Sequence, residues 1–185
     1  SEVLSFRRNH PSLKEAVKTY ISACHAEGKT ERTLQAYSET LNQLLDVAKS
    51  AGFPTRLSGF RSEHVYAFMD ATRMRGVSSG TQHRRFRETR AFFSWCERMA
   101  YTLDHPFKGI SNVRTGTKVI KPFTKSDIDK LLKCCDPATE YGLRFRAIIL
   151  LLLDTGMRRA ELEGLDIDDV DLDLGRAFIR HGKGR

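Results

Sequence analysis

The chain has 185 residues, of which 29% are charged, and a formal net charge of +8. This length accommodates either one domain or two small domains joined by a linker. No apolar run approaches the roughly 20 residues of a membrane-spanning helix, so we expect a soluble protein and no membrane partner.

The N-terminal residues and the cysteines both favour a cytoplasmic protein. The opening stretch SEVLSFRRNHP lacks the apolar core of a secretory signal peptide. The four cysteines show no metal-ligand spacing, and two of them are adjacent, which does not fit a disulfide framework. We expect free thiols at Cys24, Cys96, Cys134 and Cys135.

Positive charge is concentrated in the first part of the chain. Up to Arg114 there are 18 Lys and Arg against 11 Asp and Glu, whereas from Thr115 onward the counts are 13 and 12. An excess of cations on one segment favours nucleic acid as the partner. A basic face that is merely solvated is the alternative.

Hydrophobic periodicity predicts four helices before residue 105. They are expected at residues 12–27, about 30–50, 62–74 and about 79–99. Ser12 and Glu15 have the spacing of a capping box at the first of these helices. Gly28 and the sequence AGFP, which begins at Ala51, end the first two.

The fourth helix combines an aromatic face with an arginine-rich face. Its predicted apolar arc consists of Phe86, Phe92, Phe93, Trp95, Cys96 and Met99. Arg84, Arg87, Arg90 and Arg98 lie on the other side. An ordinary amphipathic helix would also show this division. However, only Glu88 and Glu97 are available nearby for the seven arginines between Arg73 and Arg98, which favours a surface that faces phosphates.

A second helical region follows a proline- and glycine-containing stretch at residues 105–123, which we interpret as an interdomain linker. Thr124 and Asp127 have capping spacing at the start of the next helix. The longest apolar run, AIILLLL from Ala147 to Leu153, predicts a buried central helix of a second domain.

The end of the chain predicts a β-hairpin. RAFIRH, from Arg176 to His181, is typical of a strand, and the GKG that follows is typical of a hairpin turn. A hairpin requires a second strand, and a strand without a partner leaves its backbone groups unpaired. We therefore expect the given sequence to stop within a structural unit.

Two elements of this region carry candidate chemistry. In TGMRRAE, the spacing of Arg158 and Glu161 places both side chains on one helical face, where they form either a positioned arginine or an ordinary surface ion pair. Lys183 lies at the tip of the predicted hairpin, where it is either a phosphate ligand and proton donor or a solvated lysine.

No metal site or nucleotide cofactor is expected. The aspartates between Asp166 and Asp173 do not fit a calcium loop, because Leu174 and Arg180 stand where a glycine and a glutamate are required. We interpret this cluster as a solvated connection. The histidines show no metal-ligand spacing, and no glycine-rich phosphate loop is present.

The ordered set of motifs resembles the tyrosine recombinase family, also called phage integrases. TGMRRAE followed by the hairpin GKG is similar to the first signature of the family's catalytic domain, and KPFTKSDIDKLL to the opening of that domain. TERTLQAYSETLNQLL and GTQHRRFRETRAFFSWC resemble its N-terminal core-binding domain. The resemblance covers nearly the whole chain.

The resemblance implies a mainly α fold, a four-helix SAM-like core-binding domain followed by an incomplete α+β catalytic domain. The expected boundaries are an N-terminal arm at residues 1–11, the core-binding domain at 12–106, a linker at 107–121 and the catalytic part at 122–185. It also implies double-stranded DNA as partner, a parent protein that is a homotetramer on two DNA sites, and a chain that is monomeric without DNA.

Residue roles follow from the same resemblance. Arg158 corresponds to the first catalytic arginine, which binds the scissile phosphate, and Glu161 to the acidic residue that supports it. Lys183 corresponds to the lysine that protonates the departing 5′ oxygen. The implied DNA contacts of the first domain are Lys29, Arg32, Gln82, His83, Arg84 and Arg87.

The nucleophile of the family is a tyrosine that forms a 3′-phosphotyrosyl intermediate, so neither metal nor cofactor is implied. All five tyrosines of this chain precede Arg158. We therefore expect a DNA-cutting and DNA-joining parent protein, whereas the 185-residue chain alone is expected to be inactive. The alternatives are a non-catalytic DNA-binding protein on a recombinase scaffold and a helical regulator unrelated to recombination.

Overall fold

The computed structural model describes residues 11–102, 104–116 and 119–180. The chain divides into two compact units, Ser1–Lys118 and Val119–Arg185, and its fold is mainly α-helical. The predicted N-terminal arm lies outside the described residues except for Pro11. No helix in the described ranges combines the length and the apolar character needed to cross a bilayer.

The first unit is built from four helices, which begin and end within one residue of the predicted positions. They are α1 (Leu13–Ala26), α2 (Glu31–Ser50), α3 (Ser62–Met74) and α4 (Ser79–Arg98), with a 3-10 turn at Leu57–Gly59. The predicted capping box is confirmed at the start of α1. The Ser12 hydroxyl accepts a hydrogen bond from the Glu15 backbone N–H at 3.2 Å, and the Glu15 carboxylate accepts one from the Ser12 N–H at 2.9 Å.

An aromatic core holds the four helices together. Phe92 and Phe93 of α4 are fully buried, as predicted, and Tyr20 of α1 packs edge-on against Phe92 with ring centroids 5.4 Å apart. Met99, which the pattern places in the same apolar arc, is instead 48% exposed. The prediction was wrong there because α4 ends at Arg98, so Met99 does not continue the helical face.

The first unit extends beyond the predicted start of the linker at residue 107. Phe107 and Ile110 belong to the buried core, and the Phe107 ring lies edge-on to Phe86 at 5.0 Å. Pro106 and Gly109 thus belong to a tight turn of the first unit, whereas residues 111–116 form no helix or strand.

The imidazole ring of His105 connects this turn to α4 by hydrogen bonds. Its Nδ1 accepts a hydrogen bond from the Phe107 N–H at 3.1 Å, so the ring nitrogen Nε2 carries the proton and donates to the Ser94 hydroxyl at 2.9 Å. Burial lowers the pKa of His105, because the charged imidazolium loses hydration in this position.

The second unit contains three helices and one short hairpin within the described residues. They are α5 (Lys125–Lys133), α6 (Glu140–Thr155), α7 (Arg159–Glu163), a 3-10 turn at Ile167–Asp169, β1 (Val170–Asp171) and β2 (Arg176–Ala177). The predicted cap of α5 is confirmed, since the Asp127 backbone N–H donates to the Thr124 hydroxyl at 3.2 Å. A Cβ atom at Gly142 would lie 1.8 Å from the Asp136 carbonyl oxygen, so this position of α6 requires glycine.

The final strand has a partner, contrary to the expectation that it would be unpaired. β2 is not unpartnered, since it pairs antiparallel with β1 upstream, with Val170 opposite Ala177 and Asp171 opposite Arg176. The turn of this hairpin therefore precedes β2. The GKG turn that the sequence predicts after it lies outside the described residues.

The apolar helix α6 is less buried than predicted. Leu150 and Leu153 are 45% and 47% exposed, and Ile148 and Ile149 are only half-buried. The prediction of a buried helix was wrong for this structure because the other described elements of the second unit are short and cover little of α6.

Candidate functional site

A sharp corner between α6 and α7 positions Arg158. Gly156 ends α6 in the left-handed conformation, with φ of +63°, and its N–H donates to the Leu152 carbonyl oxygen at 3.0 Å. Two residues later Arg158 occupies the N-cap position of α7. Glycine closes the first helix without steric cost, so a second helix starts almost at once.

Glu161 binds both the backbone and the side chain of Arg158. Its Oε2 accepts a hydrogen bond from the Arg158 N–H at 2.8 Å, and its Oε1 accepts one from Nη1, also at 2.8 Å. The Glu161 side chain is only 11% exposed, whereas that of Arg158 is 66% exposed. Hydrogen bonding by the backbone, and then by the side chain, of Arg158 lowers the pKa of Glu161.

The neighbouring Arg159 makes a different contact. Its Nε donates to Glu163 at 2.7 Å, in an exposed pair within α7. Arg158 therefore has a positioned guanidinium with an accessible outer edge, an arrangement suited to an anionic ligand such as a phosphate oxygen.

Asp169 anchors the hairpin that leads toward Lys183. Its buried carboxylate accepts hydrogen bonds from the Asp166 N–H at 3.1 Å and from Nε of Arg180 at 2.6 Å. These hydrogen bonds, the one from the Asp166 backbone first, lower the pKa of Asp169. The prediction that these aspartates form a solvated connection was therefore wrong for Asp169, which is buried and links the hairpin to the preceding turn. Lys183 itself lies outside the described residues.

In the first unit, Arg84 of α4 is held by a buried carboxylate. Nη1 of Arg84 lies 3.1 and 3.3 Å from the two oxygens of Glu88, and the Glu88 side chain is only 10% exposed. Thr40 of α2, which is fully buried, donates its hydroxyl to Glu88 from the other side. Glu88 therefore links α2 to α4 and fixes the Arg84 side chain.

Arg85 adds a second, partly buried cation beside Arg84. Its Nη1 is buried and makes no hydrogen bond within the part of the chain that the structure describes. Burial, followed by the like charges of Arg84 and Arg75, lowers the pKa of Arg85. The like charges of Arg84 and Arg75 thus act on Arg85, while Glu88 and Glu39 oppose them.

Arg87 is the exposed member of the same surface. Among the described residues it forms no ion pair. Arg84, Arg87 and Glu88 line a small pocket of about 220 Å³ together with Tyr37 and Ala91.

Two of the remaining predicted DNA contacts, Gln82 and His83, form hydrogen bonds within the chain. The Gln82 side-chain amide donates to the Val77 carbonyl oxygen at 3.0 Å, and Nδ1 of His83 lies 3.0 Å from the Val113 carbonyl oxygen. Because a carbonyl oxygen only accepts, His83 donates there. Both side chains therefore have structural partners.

Lys29 and Arg32 lie at the α1–α2 turn. Lys29 is 3.7 Å from the Glu27 carboxylate in an exposed pair, and Arg32 is exposed in the first turn of α2. They share one unit with the α4 arginines, so the structure brings cations from two segments of the first unit to its surface.

Thr40 and Asp169 were not predicted as supporting residues, and Glu88 was predicted only as an acid near the arginines. The four-residue spacing of Arg84 and Glu88 could have identified their ion pair. The Asp166 to Asp169 spacing is likewise that of a cap. Nothing local in the sequence links Thr40 to Glu88, because they are 48 residues apart.

Comparison with protein families gives two consistent matches. Residues 17–102 match the model described as "Phage integrase, N-terminal SAM-like domain", and residues 121–185 match the "Phage integrase family". The boundary between these matches falls in the same region as the boundary between the two structural units.

Related proteins carry recombinase names. Tyrosine recombinase XerD of Listeria monocytogenes is 32% identical over 161 residues, which cover 85% of this chain and 52% of the relative. Tyrosine recombinase XerC of Oceanobacillus iheyensis is 28% identical over 153 residues, or 83% of this chain and 50% of the relative. The chain thus spans about half the length of these relatives.

Solved structures support the same fold. A lambda integrase tetramer bound to a Holliday junction aligns with a TM-score of 0.75 at 13% identity, covering 94% of this chain and 48% of the integrase chain. The Tn1549 transposon integrase in complex with a circular intermediate DNA gives a TM-score of 0.70 at 17% identity, covering 88% and 50%. At these identities the likeness concerns the fold.

Proposed function

Because the chain belongs to the phage integrase family of tyrosine recombinases, we propose that it supplies the DNA-binding domain and first catalytic residues of a site-specific recombinase. Such an enzyme cuts and rejoins DNA through a 3′-phosphotyrosyl intermediate. The first unit is the core-binding domain, and the second is the N-terminal part of the catalytic domain.

The observation that carries this proposal is the double hydrogen bond between Arg158 and Glu161. One carboxylate oxygen of Glu161 accepts from the Arg158 backbone N–H and the other accepts from the guanidinium, so the arginine is oriented before any ligand binds. A preoriented guanidinium stabilises charge that develops on phosphate oxygens without a cost of reorganisation in the transition state. Arg158 thus binds the scissile phosphate, and Glu161 is its positioning residue.

Lys183 completes the proposed chemistry as the proton donor to the departing 5′ oxygen. Its support is the sequence motif GKG together with the Asp169–Arg180 pair, which anchors the hairpin segment three residues earlier in the chain. An ammonium whose pKa is adjustable by desolvation is suited to this role.

The nucleophile is not among the tyrosines of this chain. Tyr20 is buried in the core of the first unit, where burial raises its pKa far above the usual range, and it stacks on Tyr37. The others are Tyr66, Tyr101 and Tyr141, and all five precede Arg158. We therefore expect the polypeptide from Ser1 to Arg185 to bind DNA without cutting it.

The proposed partner is double-stranded DNA. Lys29, Arg32, Gln82, His83, Arg84 and Arg87 are the proposed contacts, and Arg87 is the best placed for phosphate because it is exposed and lacks an ion pair among the described residues. The fold likeness to a lambda integrase tetramer on a Holliday junction supports a homotetrameric parent protein on two DNA sites. The chain alone is proposed to be a cytoplasmic monomer.

A non-catalytic DNA-binding protein on the same scaffold is the second candidate, favoured by the position of all tyrosines before Arg158. Reading the gene beyond the codon for Arg185 separates the two. A downstream His-x-x-Arg motif and tyrosine support the recombinase, whereas an in-frame stop codon favours the non-catalytic protein.

A nicked suicide substrate tests directly whether this chain lacks the nucleophile. The polypeptide from Ser1 to Arg185 is expected to form no covalent adduct, while a polypeptide translated from an extended reading frame is expected to form one. A covalent adduct of the 185-residue chain itself would contradict the proposed absence of a nucleophile.

A further inference from the structure

The pair Arg84–Glu88 differs from an ordinary surface ion pair because Glu88 is mostly buried and accepts a further hydrogen bond from Thr40. The Glu88 side chain is 10% exposed, and the fully buried Thr40 donates its hydroxyl to it across the α2–α4 interface. A surface ion pair between two mobile side chains fixes neither of them. Here the carboxylate is fixed by α2, and it fixes Arg84 in turn.

Arg84 nevertheless remains available to a ligand. Its side chain is 41% exposed, and only Nη1 contacts Glu88. Within the described ranges, neither Nε nor Nη2 of Arg84 forms a hydrogen bond. The guanidinium thus has a fixed orientation, and its Nε and Nη2 donors are available to a ligand.

The charge balance of this pair does not favour a phosphate ligand. Glu88 neutralises Arg84 and lines the same pocket of about 220 Å³, so a phosphate there would lie close to a carboxylate. Arg87, three residues further along α4, is exposed and has no such partner among the described residues. A backbone phosphate is better bound by Arg87.

A base edge imposes different requirements. It carries no net charge, so a neighbouring carboxylate is tolerated, and specific contact requires a guanidinium of fixed plane. Arginine donates two hydrogen bonds to O6 and N7 of guanine, the commonest specific contact in the major groove. The oxygens of Glu88 are already hydrogen-bonded and mostly buried, so the carboxylate is not offered to a cytosine amino group.

We infer that Arg84, oriented by Glu88 and Thr40, determines sequence specificity by contacting a guanine, whereas Arg87 contacts the DNA backbone. The inference rests on the proposed DNA-binding function and assigns its residues to different tasks. Glu88 and Thr40 are positioning residues, since they act through Arg84.

Selection from a pool of random duplexes, followed by affinity measurements on the selected sites, tests this assignment with purified chain. The wild type is expected to prefer guanine at one position by about tenfold over the other bases. Arg84→Ala and Arg84→Lys are both expected to lose that preference, because lysine keeps the charge but not the planar fork. Arg87→Ala is the matched control, expected to weaken all sequences equally.

Glu88→Gln gives a readout that a merely structural role would not produce. The amide keeps a similar shape but removes a negative charge from the DNA-facing surface. Total affinity is therefore expected to rise, while the preference for guanine falls several-fold. Unfolding curves of each variant verify that the fold is retained.

The outcomes separate the inference from the proposed function. An unchanged guanine preference in Arg84→Ala would overturn the inference, as would a wild type that binds duplexes without any sequence preference. A wild type that binds no duplex at all would overturn the proposed DNA-binding function, and the inference with it.

Discussion

Glu161 accepts two hydrogen bonds from Arg158, one from the backbone N–H and one from Nη1, each 2.8 Å long. One carboxylate therefore closes the start of α7 and orients the arginine at the same time. The local fold and the proposed chemistry depend on the same contact, so a change at Glu161 is expected to affect both.

Substituting Glu161→Ala is expected to loosen the start of α7. The Arg158 N–H loses its acceptor, and cap losses of this kind correspond to roughly fivefold faster amide exchange. Hydrogen exchange at the Arg158 amide measures the effect. Glu163→Ala is the matched control, since the side-chain contact of Glu163 among the described residues is with the Arg159 side chain. Equal exchange rates in both variants would contradict the role assigned to Glu161.

Substituting Thr40→Val is expected to destabilise the first unit by about 1–2 kcal/mol, because the buried Glu88 loses a hydrogen-bond donor. Thr89→Val is the comparison. Thr89 is also buried, but its hydroxyl makes no hydrogen bond within the described residues, so the valine there is expected to be neutral or stabilising. Denaturant unfolding of the two variants gives the difference, and an equal loss in both would argue against the Thr40–Glu88 link.

His105 is expected to make stability depend on pH. Burial lowers its pKa in the folded state, so the unfolded chain binds the proton more readily. Stability is therefore expected to be complete above the unfolded pKa of about 6.5 and to fall as pH drops below that value. The nearby Glu97 opposes this shift and Arg90 reinforces it.

Urea unfolding at pH 7.5 and pH 5.5, two conditions chosen about one unit either side of the unfolded histidine value, measures this dependence. His105→Asn is expected to reduce the slope, because asparagine does not titrate but keeps an acceptor for the Phe107 N–H. An identical slope in the variant and the wild type would exclude His105 as its source.

Reversing the charge of Arg84 and Arg87 together is expected to weaken DNA binding by at least about tenfold and to flatten its dependence on salt. A matched variant, Lys14→Glu with Lys49→Glu, changes the net charge equally but alters a groove beside α1 and the C-terminal end of α2. Titrations at several salt concentrations compare them. Equal effects would mean that overall charge, and not this surface, drives binding.

Local patterns predicted the helices of this chain well. The bounds of α3 agree with the prediction, and the caps at Ser12 and Thr124 were found from spacing alone. The Arg158–Glu161 contact was also predictable, because three residues on a helix bring side chains together. Each of these features is determined by residues close in sequence.

Features that depend on distant residues were missed. Phe107 and Ile110 lie in a stretch typical of a linker, yet they are buried in the core. Asp169 is one of several adjacent aspartates, and its burial and its hydrogen bond from Arg180, 11 residues away, distinguish it from them. Composition describes a segment, whereas burial depends on what packs against it.

Neutralising single phosphates of a selected duplex tests directly whether Arg158 and Lys183 act on the same phosphate. Each phosphate is replaced in turn by a neutral methylphosphonate, and affinity is measured for the wild type, Arg158→Ala and Lys183→Ala. One phosphate is expected whose neutralisation weakens the wild type about tenfold and weakens each variant clearly less, because each variant keeps only one of the two cations. Coupling of the two residues to different phosphates, or to none, would contradict this expectation.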